Sequence, residues 1–145
     1  MNTQNKVRLE LAALSENVSL ARVMVAAFAT PLDPNIGEVT DIQTAVSEAV
    51  TNAIIHGYGE ANNLDIVAIT LESNTREIKI EIADRGVGIE NIGAAREPLF
   101  TTKPEMERSG LGFTVMESFM DSVEVTSCPG EGTIVKMSKK LSGER

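Results

Sequence analysis

From Glu77 to Ala83 the sequence alternates: Ile78, Ile80 and Ile82 share one face of an extended chain, and Glu77, Lys79 and Glu81 share the other. Period-two patterning of this kind makes a strand with one dry and one wet face. The chain therefore needs a sheet covered on one side. Val7, Leu9 and Leu11 alternate with Lys6, Arg8 and Glu10 in the same way, and residues 64–71 read as a further strand joined to the isoleucine strand by Ser73-Asn74-Thr75. The covering layer is helical. Over residues 38–56, Ile42, Ala45, Val46, Ala49, Val50 and Ala53 recur at three- and four-residue steps, and Gly57 stands where a left-handed C-terminal cap is wanted. Ser15 is placed to cap an earlier helix running to about Thr30, closed by Pro31 and Pro34. A third helix reads from Gly112 to Met120, and two strands around Pro129-Gly130-Glu131-Gly132 form a closing hairpin. The order β-α-α-β-β-loop-α-β-β predicts an α+β fold. It is a two-layer sandwich, with three main helices on one face of a mixed, mostly antiparallel sheet. Residues 1–145 are expected to form one domain.

Composition narrows the function classes. The net charge of −8 argues against direct nucleic-acid binding, which needs clustered Lys and Arg, and an aromatic content of 3% removes base-stacking platforms. No apolar run approaches the ~20 residues that span a bilayer, and Met1 to Lys6 lacks the apolar segment of a signal peptide. The one cysteine, Cys128, permits no internal disulfide, and no Cys/His cluster suggests zinc. A cytoplasmic protein with no membrane contact is expected.

Glu48 and Asn52 lie four residues apart on the second helix, so they can face one cavity. Read alone they are more simply a polar stripe at the edge of a core helix. Period two carries the isoleucine face on to Asp84, an acid that is costly to bury without hydrogen bonds; the alternative is that the strand stops short and Asp84 caps a turn. Asp84-Arg-Gly86-Val-Gly88 leaves this strand, Gly110-Leu111-Gly112 opens the third helix, and Gly132-Thr133 begins the last strand. Glycines let backbone approach a ligand, and a glycine-rich turn at a helix N-terminus suits phosphate. The Gly110 loop lacks the endings of a Walker A or dinucleotide motif. Residues 91–109 show no convincing helix or strand period, and a connection of that length is usually functional or disordered. His56 is expected to close its helix, Cys128 to be inert packing, and Met116, Phe119 and Met120 to be core.

Together, Glu48-x-x-x-Asn52, Asp84-x-Gly86-x-Gly88, a long lid, Gly110-x-Gly112 and Gly132-Thr133 resemble the ATP-binding fold shared by histidine-kinase catalytic domains, gyrase B, Hsp90 and MutL. Glu48 through Tyr58, Pro98-Leu-Phe-Thr-Thr-Lys-Pro104, Glu107 through Phe113, Ser15-Glu-Asn17 and Ala21-Arg22 narrow the resemblance to the sporulation anti-sigma F factors of endospore-forming bacteria. The resemblance implies ATP as ligand, with ADP as product, and Mg²⁺ coordinated by Asn52. Asp84 would accept a hydrogen bond from the adenine amine, and Thr133 would support the base directly or through water. Gly86 and Gly88 would bring backbone to the base, while Gly110, Leu111 and Gly112 would hold phosphates. Thr101, Lys103 and Arg108 would lie at the nucleotide from the lid, Arg108 with a catalytic role on the terminal phosphate. Glu48 would be the general base toward a serine of an anti-anti-sigma factor, or would position a metal-bound water. Arg22, ordinarily a solvated charge, would contact partner proteins. The resemblance further implies a homodimer that holds the sporulation sigma factor. The alternatives are a switch kinase for a general-stress sigma factor, or an ATP-dependent binding module without kinase activity.

Overall fold

The computed structural model describes residues 4–89 and 112–142. Its elements are β1 (Asn5–Ala12), α1 (Glu16–Ala29), a 3₁₀ turn (Thr30–Leu32), α2 (Ile36–Asn52), a π-helical turn (Ala53–Gly57), β2 (Ile66–Ser73), β3 (Glu77–Asp84), α3 (Gly112–Phe119), β4 (Ser122–Cys128) and β5 (Gly132–Lys140). The strands form one sheet in the order β1-β2-β3-β5-β4. Every pairing is antiparallel, so the mixed sheet expected from the element order is not what forms. The physical reason is the position of β5. It inserts between β3 and β4, which run in the same direction, and turns one parallel neighbourhood into two antiparallel ones.

Alternation works as the sequence predicts. Val67, Ile69 and Leu71 of β2, Ile78, Ile80 and Ile82 of β3, and Val135 and Met137 of β5 are buried under the helices. Full burial of a side chain of this size contributes about 1.5–3 kcal/mol. Ile42, Ala45, Val46, Ala49 and Val50 form the buried stripe of α2, which packs between α1 and α3. Met116 and Met120 are buried, with Phe119 half-buried beside them.

Several local details differ from expectation. Ser15 makes no side-chain cap, because it already has helical dihedrals (φ −57°, ψ −37°), whereas a capping residue needs extended backbone. Asn17 instead ties the helix start to β1, its Nδ2 donating to the Ala12 carbonyl at 2.9 Å. The second helix starts earlier than expected, at Ile36. Asn35 (ψ 170°) accepts from the Glu38 N–H at 2.8 Å, and the Glu38 carboxylate accepts from the Asn35 N–H at 2.9 Å. This reciprocal pair is a capping box. Glu38 also accepts from Ser142 N and Oγ, pinning the chain beyond β5 to the start of α2. Lys139 reaches from β5 to the Phe119 carbonyl at 2.7 Å and lies 3.8 Å from Asp41, joining α3, β5 and α2. The strand expected from residue 64 begins at Ile66, and Leu64 is 87% exposed.

The end of α2 positions the site. Its regular helix stops at Asn52, and the chain continues as a π turn in which Tyr58 N–H donates to the Ala53 carbonyl. Gly57 is not left-handed; among the described residues the positive-φ glycines are Gly59, Gly88, Gly130 and Gly132. The widened turn delivers the Gly57 backbone to the exit of β3, where Val87 N–H donates to the Gly57 carbonyl at 2.9 Å. π turns inside helices are frequent at functional sites.

Candidate functional site

Asp84 is the last residue of β3 and is only 9% exposed. The strand does not stop short of it. Its carboxylate also accepts from the Gly86 N–H at 2.8 Å, two residues on, so the strand end and the turn that Asp84 could have capped are both present. Thr133, opposite it on β5, donates a second backbone N–H. Burial pushes the Asp84 carboxyl above its ordinary pKa, and the N–H groups of Gly86 and Thr133 pull it partway back. An ionised carboxylate has about four lone-pair sites. Two backbone donors leave it capacity for an incoming N–H group.

Glycines crowd Asp84 and the backbone around it, most of them for close approach. A Cβ on Gly57 would stand 2.8 Å from Asp84 Cγ and Oδ1. One on Gly86 would meet the Gly57 carbonyl oxygen at 1.9 Å, and one on Gly132 the Asp84 carbonyl oxygen at 2.1 Å. Gly88 has φ +79° and lies against the Cys128 carbonyl. Tyr58 completes the stitching, its hydroxyl accepting from Arg85 N–H at 2.8 Å and donating to the Ile66 carbonyl at 2.6 Å.

Asn52 is half-buried at the last position of α2, and Gly112, the first residue of α3, packs against its carboxamide. A Cβ on Gly112 would be 2.7 Å from Asn52 Nδ2. A helix N-terminus, where N–H groups lack helical partners, is thus set beside a carboxamide whose oxygen suits a hard cation. Glu48 lies one turn earlier on α2, about 6 Å along the axis, and is also half-buried. Among the described residues no group of three or more His, Cys, Asp or Glu side chains could hold a metal ion.

The structure therefore brings Asn52, Asp84, Gly86, Gly88, Gly112 and Thr133 to the end of α2 and the neighbouring strand ends. Thr101, Lys103, Arg108, Gly110 and Leu111 lie outside the described residues. Arg22 is not a freely solvated charge: it is half-buried, and its guanidinium donates to Ser47 Oγ at 2.8 Å, next to Glu48 in sequence. Cys128 is exposed rather than packed. A hydrogen bond to the Glu131 carboxylate, with that residue's charge, raises its thiol pKa and so favours the protonated form. Sequence reasoning missed Tyr58 and Ser127. Ser127 carried a signal like that of Asp84, a polar residue on the same strand face as Val123 and Val125. A shallow hollow of about 390 Å³ opens on the opposite, polar face of the sheet, among Lys79, Glu81, Ser122 and Lys136. Neither Asp84 nor any of the glycines lines it.

A family model for the histidine kinase-like ATPase domain matches residues 11–139. Anti-sigma F factors from Clostridium perfringens strain SM101 and Pasteuria penetrans are 59% and 50% identical, covering 95% and 98% of this chain and 98% and 95% of their own lengths. The chain belongs to the anti-sigma F factors of the histidine kinase-like ATPase family. That of Clostridium acetobutylicum is 55% identical over 96% of both chains. Among solved structures, the RsbU and RsbW domains of Rv1364c from Mycobacterium tuberculosis match with a TM-score of 0.63 at 18% identity, over 95% of this chain and 33% of that one. The catalytic domain of histidine kinase ThkA matches with a TM-score of 0.58 at 16% identity, over 99% of this chain and 98% of its own. These two likenesses show the shared fold. Membership in an ATPase-domain family implies that the chain binds ATP, and no helix among the described residues is long and apolar enough to cross a membrane.

Proposed function

We propose that the chain binds Mg-ATP between Asp84 and Asn52, holds a sporulation sigma factor as a homodimer, and phosphorylates a serine of the anti-anti-sigma protein that would displace it. The observation that carries the nucleotide reading is a buried Asp84 carboxylate packed against Gly57, with Gly86 and Gly132 packed on the Gly57 and Asp84 backbone carbonyls beside it. Asp84 accepts from the adenine amine, Thr133 supports the base, and the N-terminus of α3 at Gly112 faces the phosphates. Asn52 would hold the Mg²⁺, which neutralises phosphate charge when bound. The names of the relatives at 50–59% identity support the sigma-factor partner.

In the transfer step, Glu48 accepts the proton of the partner serine hydroxyl as the serine oxygen bonds to the γ-phosphorus. The bond from phosphorus to the β–γ bridging oxygen breaks, and ADP leaves. Such transfer depends largely on positioning and electrostatics, and a positioned base contributes typically about 10²–10⁴-fold. Arg22 serves the partner surface of α1.

The test mixes γ-labelled ATP with an anti-anti-sigma partner. Label is expected on a partner serine, lost in Glu48→Gln with ATP binding largely kept, whereas Asn52→Ala weakens Mg-ATP binding itself. Label on the chain's own His56 would sink the serine-kinase reading. Sigma binding without transfer would instead favour an ATP-dependent binding module.

A further inference from the structure

The hydroxyl of Ser127, near the end of β4, is a junction between three backbone segments that border Asp84. It accepts from the Ile89 N–H at 2.7 Å, one residue beyond Gly88, and lies 3.0 Å from the Gly132 carbonyl and 2.9 Å from Thr133 Oγ1. We propose that Ser127 is a positioning residue for nucleotide recognition, acting through the Thr133 hydroxyl, which it aims and whose proton it directs.

The argument is a count of protons. Ser127 and Thr133 bring one hydroxyl proton each. The Gly132 carbonyl can only accept, so a Ser127 proton placed there makes Thr133 donate to Ser127. In that arrangement Ser127 makes three hydrogen bonds, and Thr133 turns only lone pairs toward the pocket. If Ser127 donates to Thr133 instead, the Thr133 proton is released for a ligand acceptor or a bridging water. The pair thus has two arrangements that offer opposite hydrogen-bonding character to a purine edge. Thr133 is 8% exposed and its own N–H is engaged by Asp84, so its backbone is fixed while the hydroxyl proton is the adjustable part. Val87 is held nearby in the same manner, its carbonyl accepting from Gly130 N–H at 2.7 Å. The β4–β5 hairpin therefore braces the Gly86–Ile89 segment at two points, Val87 through backbone and Ile89 through the Ser127 hydroxyl.

This inference rests on the reading of the pocket as an ATP site, and its test separates the two. ATP affinity is measured for the wild type, Ser127→Ala, Thr133→Val and the double variant, with Ser127→Thr as the conservative replacement. One hydrogen bond of ordinary strength corresponds to about three- to tenfold in Kd. Ser127→Ala and Thr133→Val should each weaken ATP by about that factor, the double variant should be no weaker than Thr133→Val, and Ser127→Thr should restore affinity. Without Ser127 the Thr133 hydroxyl keeps its proton but loses the partner that aims it, so the wild-type preference for ATP over its 1-deaza analogue, in which the ring acceptor N1 is replaced by C–H, should narrow in Ser127→Ala. A purely structural serine would leave that preference unchanged and would add its effect to that of Thr133→Val; either result overturns the proposal. Wild-type protein that fails to bind ATP would overturn the underlying site reading instead.

Discussion

Replacing Gly57 by alanine probes the pocket with a single methyl group. The new Cβ would stand 2.8 Å from Asp84 Cγ and Oδ1 and 3.0 Å from Oδ2, well inside the ~3.5–4 Å of a comfortable carbon contact. Backbone conformation is no obstacle, because Gly57 lies outside the positive-φ set and sits in a π-helical turn. Alanine is preferred over glycine there by about 1 kcal/mol. The carboxylate has to give way, and it is held by the N–H groups of Gly86 and Thr133. Overpacking of this kind costs about 1–3 kcal/mol, so the net loss of stability is about 0–2 kcal/mol. Recognition suffers more. Losing a hydrogen bond to an ionised acceptor costs about 1.5–3 kcal/mol, equivalent to about 10- to 150-fold in Kd. Calorimetric titration with Mg-ATP, run beside urea unfolding, should show a folded variant with affinity reduced at least tenfold. Adding Asp84→Ala should recover the stability lost to the clash without recovering affinity. Wild-type ATP affinity in Gly57→Ala would refute the placement of the base at Asp84.

Asp84 and Glu38 predict opposite pH dependences. Burial raises the Asp84 pKa, so the native state holds its proton more tightly than the unfolded chain, and stability is lost as pH rises from about 4 through the raised folded value. Asp84→Asn should therefore gain stability relative to wild type across that interval, while ATP binding falls; a difference constant from pH 3 to 7 would contradict this. For Glu38, burial acts upward, but the hydrogen bonds from Asn35 and Ser142 and the charge of Lys139 outweigh it, leaving the pKa lowered. Its stabilisation is present above the ordinary carboxylate range and lost as pH falls through the folded value, so Glu38→Gln should destabilise at pH 7 and converge on wild type in acid, as read by urea midpoints. At Cys128 the Glu131 carboxylate keeps the thiol protonated; Glu131→Gln should speed its alkylation by iodoacetamide at fixed pH, and an unchanged rate would remove that coupling.

How much of this was legible depends on the range of the interactions. The dry face of β3 and the stripe of α2 depend on neighbours within a few residues, and both read correctly from Ile78, Ile80, Ile82 and the Ile42–Val50 repeat. The antiparallel placement of β5 between β3 and β4 depends on strand exchange across the whole sheet, which no local period encodes. Asp84 stood out because an acid on an isoleucine face contradicts its surroundings, whereas the contradiction posed by Ser127 was weaker, a hydroxyl being cheaper to bury than a charge. Gly57 was recognised as special for the wrong reason. A glycine needed for positive φ and one needed for close approach look identical in sequence, yet they fail differently when substituted.

That difference sorts the pocket glycines into two groups. A methyl on Gly57 or Gly112 meets a side chain, the Asp84 carboxylate or the Asn52 carboxamide, and a side chain can yield. A methyl on Gly86, Gly88 or Gly132 meets backbone carbonyls at 1.9–2.4 Å, and Gly88 and Gly132 are also at positive φ. Alanine at Gly57 or Gly112 should therefore damage nucleotide binding while the cooperative unfolding transition survives. At Gly86, Gly88 or Gly132 it should displace the turn that joins the π turn to β3 and β5, lowering stability and binding together. Parallel thermal melts and ATP titrations on the five variants test the division. A Gly132→Ala protein with wild-type stability would show that the β3–β5 junction is looser than its contacts imply, and would weaken the case that this turn fixes Asp84.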